Sequence, residues 1–169
     1  MKSAFYIAAA LAIISTLMVI TRKNVVHSLL YLIVSLLSVA LVFFVLGAPF
    51  VAALEVIIYA GAIMVLFVFV IMMLNLGPQS TQQEREWLSP GIWIGPTAMV
   101  LILAGELAYV MSLGPGRHAA ISAVSPKQVG MALFGPYVLG VELASMLLLA
   151  GLVGAYHLGR RDRSGGGGS

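Results

Sequence analysis

The sequence predicts an all-α integral membrane protein of five transmembrane helices, and three observations carry that prediction. Of 169 residues, 61% are hydrophobic and 9% charged, and the mean hydropathy is +1.07. Soluble domains carry about 25% charged residues, and a chain with so few has no means of covering a water-facing surface. Apolar runs close to the ~20 residues that cross a bilayer recur five times along the chain. The basic residues gather at the ends of those runs, where they act as topology signals.

The first run extends from about Ser3 to Thr21 and stops at Arg22-Lys23-Asn24. Lys2 followed by apolar residues has the outline of a signal peptide. The run exceeds the usual core of about 7–15 residues, however, and no clear A-x-A site precedes the basic cluster, so it reads as a retained helix. The second run, from about Val26 to Leu46, ends at Gly47-Ala48-Pro49. Pro49 can open the next helix because the first helical position needs no N–H. The third run continues from about Phe50 to Leu76. A polar loop with Gln82, Gln83, Glu84, Arg85 and Glu86 leads to the fourth, from about Gly91 to Leu113. A second loop holds Gly114-Pro115-Gly116, Ser125-Pro126 and a short apolar segment near Val129 to Phe134, read as interfacial. The fifth run spans about Pro136 to Leu158.

Orientation follows from the cations. Arg22, Lys23, Arg85, Arg160, Arg161 and Arg163 fall on one side, and Lys2, Arg117 and Lys127 on the other. That asymmetry points the first set to the cytoplasm, placing the N-terminus outside and the C-terminus in the cytoplasm. Residues 1–163 then form a single five-helix membrane domain, and the linker-like tail 164–169, ending Gly165-Gly166-Gly167-Gly168-Ser169, has the composition of an expression scar. The formal charge of +3 and pI near 9.5 do not indicate nucleic acid, because the cations flank membrane spans. No cysteine is present, which excludes thiolate-held iron–sulfur clusters and disulfides within this chain. No G-x-G-x-x-G or P-loop pattern occurs.

Chemistry inside the spans rests on three carboxylates, Glu55, Glu106 and Glu142. A charged side chain at the centre of a membrane helix costs about 2.5–3.5 kcal/mol on insertion scales, so each is a functional candidate. Glu55 lies about one turn into the third span, and Tyr59, four residues on, shares its helical face. Such a pair can hold a proton or a water between helices; an interface-level carboxylate reaching for the headgroups is the plainer alternative. Glu142 lies six residues past Pro136, about 9 Å deeper at 1.5 Å per residue. Glu106 reads as a solvated or helix-facing structural residue. Ala60-Gly61-Ala62 sits mid-span before the bulky run Ile63 to Phe69. Because glycine costs about 1 kcal/mol in a helix interior, this is either a packing notch for a neighbouring helix or a π-bulge. Gly91 and Gly95 form a GxxxG motif, and Ala150, Gly151, Gly154 and Ala155 form a small face on the fifth span, both suited to helix packing. A bis-histidine haem would need facing ligands, and only His27 and His157 fall on the same membrane side.

The string Ala53-Leu54-Glu55-Val56-Ile57-Ile58-Tyr59-Ala60-Gly61-Ala62-Ile63-Met64-Val65-Leu66-Phe67 closely resembles the third helix of subunit J of bacterial proton-pumping NADH-quinone oxidoreductase, respiratory complex I. Asn24 to Leu37, Gly61 to Leu76 and Leu133 to Leu152 resemble the same family, with spans in the same number and order. The resemblance implies a membrane-arm subunit of the bacterial inner membrane, in the lipid bilayer beside subunits A, H and K. It implies no redox centre, metal or catalytic residue in this chain; NADH, FMN, iron–sulfur clusters and quinone belong to the parent complex. It also implies a π-bulge in the third helix, matching Tyr59, Gly61, Val65 and Phe67, whose interconversion with regular α-helix opens and closes a hydrated proton route. Glu55 and Glu142 complete the expected route, while Glu106 has no counterpart in the family pattern. The competing reading is a small self-standing cation or proton transporter or channel in which Glu55 and Glu142 bind the ion. The absence of an inverted repeat counts against many transporters of that kind.

Overall fold

A computed structural model describes residues 2–22, 24–74, 90–113 and 123–159. Lys23, Arg85, Arg117, Arg160, Arg161 and Arg163, the loop from Gln82 to Glu86, the Gly114-Pro115-Gly116 stretch and the tail 164–169 lie outside them. The described elements are all helical. They are α1 (Lys2–Thr21), α2 (Val25–Val45), a long α3, α4 (Pro90–Ser112), α5 (Pro126–Leu133) and α6 (Val138–Gly159). α3 is built from Pro49–Leu54, a π-helical Glu55–Ile63 and an α-helical Met64–Leu74. Five of these helices are long and apolar enough to cross a membrane.

The residues divide into two compact units, Met1–Ser125 and Pro126–Ser169. In the first, α1 and α2 form a tightly packed pair on which α3 and α4 rest. Lipid tails are as apolar as leucine, so the hydrophobic effect cannot hold helices together there; close contact between small residues and hydrogen bonds between helices must do so. α1 buries Ala4, Ala8, Leu11 and Ser15, and α2 buries His27, Tyr31, Val34, Ser38, Leu41 and Val45. Both rows step alternately by three and four residues, the spacing of left-handed helix packing. Thr16 and Ser35 share a hydroxyl hydrogen bond of 2.8 Å between the two helices, and Ser35 Oγ also donates to the Ala12 carbonyl at 3.4 Å. Ser38 returns its hydroxyl to Val34 O at 2.7 Å.

The helix ends follow from local chemistry. Asn24 caps α2 by accepting from the His27 amide through Oδ1 at 3.1 Å. At the other end Gly47 takes φ 86°, its amide donates to Phe44 O and the Ala48 amide to Phe43 O, which together make a Schellman cap. Pro49 then occupies the first turn of α3, and Gly47 O accepts from the Val124 amide at 2.9 Å. In the second unit α5 and α6 are joined through a turn in which the Tyr137 amide donates to Ala132 O at 3.1 Å. The segment read as interfacial is therefore helical from Pro126 to Leu133.

The orientation inferred from the cations is checked by labelling. A cysteine introduced at Ser112, an exposed position at the end of α4, is expected to react with an impermeant maleimide from outside the cell. Reaction only from the cytoplasmic face would reverse the assignment.

Candidate functional site: the third helix and the carboxylates around it

α3 changes hydrogen-bond register as it crosses the span. The Glu55 amide donates to Val51 O, four residues back, whereas the Met64 amide reaches Tyr59 O, five residues back. Between them lies the π-helical Glu55–Ile63. π geometry is rare, occurs mostly as a single turn inside an α-helix, and is frequent at functional sites.

Gly61 lies within this segment. A Cβ built on it would stand 3.2 Å from the Val56 carbonyl oxygen, the backbone atom five residues earlier. In this register any side chain at position 61 presses on its own helix. Glu55, at the start of the segment, is half-buried, and Tyr59 on the same face is 49% exposed. Met64, immediately after the segment, is buried at 2% exposure and anchors the helix, while Val65 and Phe67 beyond it are exposed. α2 packs against both the π segment and the α-helical part that follows.

An apolar cavity of about 430 Å³ lies between α2, the start of α3 and α4. Leu37 and Leu41 of α2, Ala53 and Val56 of α3, and Leu103 and Leu107 of α4 are among its walls. Val56 thus belongs both to the cavity wall and, through its carbonyl, to the tight spot at Gly61.

Residues 15–158 match the sequence profile of the family described as NADH-ubiquinone/plastoquinone oxidoreductase chain 6. The chain belongs to this family. It is 61% identical over 163 residues to NADH-quinone oxidoreductase subunit J of Pseudomonas aeruginosa, across 96% of this chain and 98% of that protein. The subunit J of Escherichia coli K12 is 57% identical over 165 residues, covering 98% of this chain and 90% of its own length. That of Buchnera aphidicola from Schizaphis graminum is 52% identical over 163 residues.

For this chain 6 family member, then, the sequence-derived site divides in three. Glu55, Tyr59 and Gly61 lie together in the π segment, and Val65 and Phe67 follow on the α-helical part. Glu142 lies on α6 in the second unit, exposed, with the Ser145 hydroxyl donating to its backbone carbonyl at 2.7 Å. Glu106, read from sequence as structural, is buried at 8% exposure. His27 and Tyr31 went unremarked as a pair, yet both are buried and their ring centroids stand 4.9 Å apart, with the Arg22 guanidinium 5.8 Å from the Tyr31 ring centre. Their i, i+4 spacing was the available signal. Among the described residues no group of three or more His, Cys, Asp or Glu side chains is placed to hold a metal ion.

Proposed function

We propose that this chain is a multi-pass inner-membrane subunit of NADH-quinone oxidoreductase whose third helix gates a hydrated proton route, coupling NADH-to-quinone electron transfer to proton movement. The observation that carries the gating reading is the π-helical stretch Glu55–Ile63 inside a membrane span. A helix with one segment in the i→i+5 register has a nearby alternative, the ordinary α register, and passing between them turns every side chain beyond the segment. Val65 and Phe67 are the bulky groups such a turn would sweep into or out of a water path. The cavity beside Val56 gives the inner wall of α3 room to move, and a packed core without such space would resist the change. This is a two-state element of the kind that coupling requires.

In this reading the chain supplies no redox chemistry. NADH, FMN, the iron–sulfur clusters and quinone are held by other subunits, and those corresponding to A, H and K are its neighbours in the bilayer. Glu55 offers a protonatable group at the entrance of the switching segment, and Tyr59 a hydroxyl one turn on.

Glu55→Gln tests the route. The amide keeps the shape and removes the exchangeable proton, so proton yield in reconstituted vesicles is expected to fall about two- to threefold while the redox centres remain. Water in the route keeps the loss partial. Wild-type rate and stoichiometry in the variant would remove Glu55 from the route.

A further inference from the structure

A carboxyl group that the third-helix route does not use is sealed between α1, α2 and α4. Glu106 is 8% exposed, and both Oε1 and Oε2 are buried without a hydrogen-bond partner among the described residues. It lies six residues before Ser112, the end of α4, which sets it about 9 Å along the helix from that end. The buried face of α4 is Pro96, Leu103, Glu106 and Val110, the last three spaced by three and four residues. Leu103 and Val110, on either side of Glu106, pack in one cluster with Ala4, Ala8, Leu11, Val34, Leu41 and Val45. Glu106 is therefore aimed into the seam, not toward lipid.

The chain itself does the covering. A neighbouring subunit that docks on this surface adds cover outside the seam; it cannot bring a cation to oxygen atoms already enclosed. Among the described residues, the titratable groups of the surrounding elements do not supply one either. On α1, Lys2 and Tyr6 are exposed, and Arg22 at its far end is exposed over Tyr31. On α2, His27 and Tyr31 lie toward the end that meets Gly95, eleven residues and about 16 Å along α4 from Glu106. Glu55 and Tyr59 are on α3, and Tyr109 of α4 is exposed. None of these is hydrogen-bonded or ion-paired to Glu106 among the described residues.

A buried charge must be paired or lost, and an enclosed carboxylate without a partner loses its charge by taking up a proton. We propose that Glu106 is a proton-binding site of this subunit, holding its proton at neutral pH, on a face of α4 separate from the switching segment of α3. The ligand is the proton alone: one O–H bond forms on the carboxylate and no other reactant is needed. The proposal stands independently of gating by α3.

The test uses the assembled, lipid-reconstituted enzyme carrying Glu106→Gln or Glu106→Leu. Replacing a neutral acid by a neutral amide or an apolar group leaves no charge stranded, so both variants are expected to retain the subunit at wild-type level. Infrared spectra of wild type minus variant should then contain the carbonyl stretch of one protonated carboxyl, persisting from neutral into alkaline pH and shifted after prolonged exchange into D2O. Loss of the subunit from both variants overturns the proposal, because it is the result expected when an ionised carboxylate holds a hidden cation. Assembly without that carbonyl band overturns it too, since Glu106 would then be ionised. If only one variant assembles, its spectrum decides.

Discussion

Gly61→Val is expected to lower NADH-to-quinone turnover about tenfold per assembled complex, with proton yield falling alongside. NADH oxidation by an artificial acceptor at the peripheral arm should stay unchanged. A tenfold loss corresponds to about 1.4 kcal/mol on the barrier, within the ~1–3 kcal/mol that overpacking a close-fitted site typically costs. The contact responsible is specific: a Cβ at position 61 already meets the Val56 carbonyl at 3.2 Å, and valine adds two methyl groups with a stiff χ1. Gly61→Ala brings the Cβ alone and should show a smaller loss, about two- to threefold. The graded pair separates pressure on the π register from failed docking, as does measuring turnover only on complexes that retain the subunit. Fully assembled Gly61→Val enzyme with wild-type quinone reduction and proton yield would reduce Gly61 to a packing residue.

The second large effect is on assembly. Gly95→Ala is expected to cut the amount of subunit recovered in the complex several-fold, because a Cβ there collides with Tyr31 Oη and stands 3.3 Å from Cζ. Tyr31 is buried on α2 at 2% exposure and has little space to yield, while Pro96 is buried next to Gly95 on α4. Tyr31→Phe removes the colliding oxygen, so the double variant Gly95→Ala/Tyr31→Phe should recover most of the lost assembly. Recovery in the double variant is the informative outcome, since additive losses would mean that the two positions do not touch. Gly91, at the other end of the same GxxxG motif, has open space around its missing Cβ, and Gly91→Ala should assemble normally.

Much of this was legible in the residues. Five spans could be counted because a bilayer demands about 20 apolar residues in a row, and each helix falls within a few residues of its run. The Gly47-Ala48-Pro49 turn was readable because a positive φ and a first-turn proline each select one residue type. The extent of the π segment was not readable, since Ala60-Gly61-Ala62 suits a packing notch as well as a register change, and register is a property of backbone hydrogen bonds. Glu106 reads from the sequence as solvated or helix-facing, and the choice between the two was not legible, because the row through Leu103 and Val110 that encloses it acquires meaning only once α1 and α2 lie against it. The GxxxG motif named two glycines of which one is used, because the pattern does not say where the opposing tyrosine stands.

The pairing of α1 with α2 also bears on how the subunit is made. Only three residues separate Thr21 from Val25, and the hydroxyl bridge from Thr16 to Ser35 joins groups nineteen residues apart. Contacts so local close quickly, since little chain entropy is lost in forming them. Synthesis proceeds from the N-terminus at about 5–20 residues per second. The hairpin can therefore zip together in the bilayer within seconds of its second helix leaving the ribosome, before α4 has been translated. The third and fourth helices of the same unit then meet a surface that is already formed.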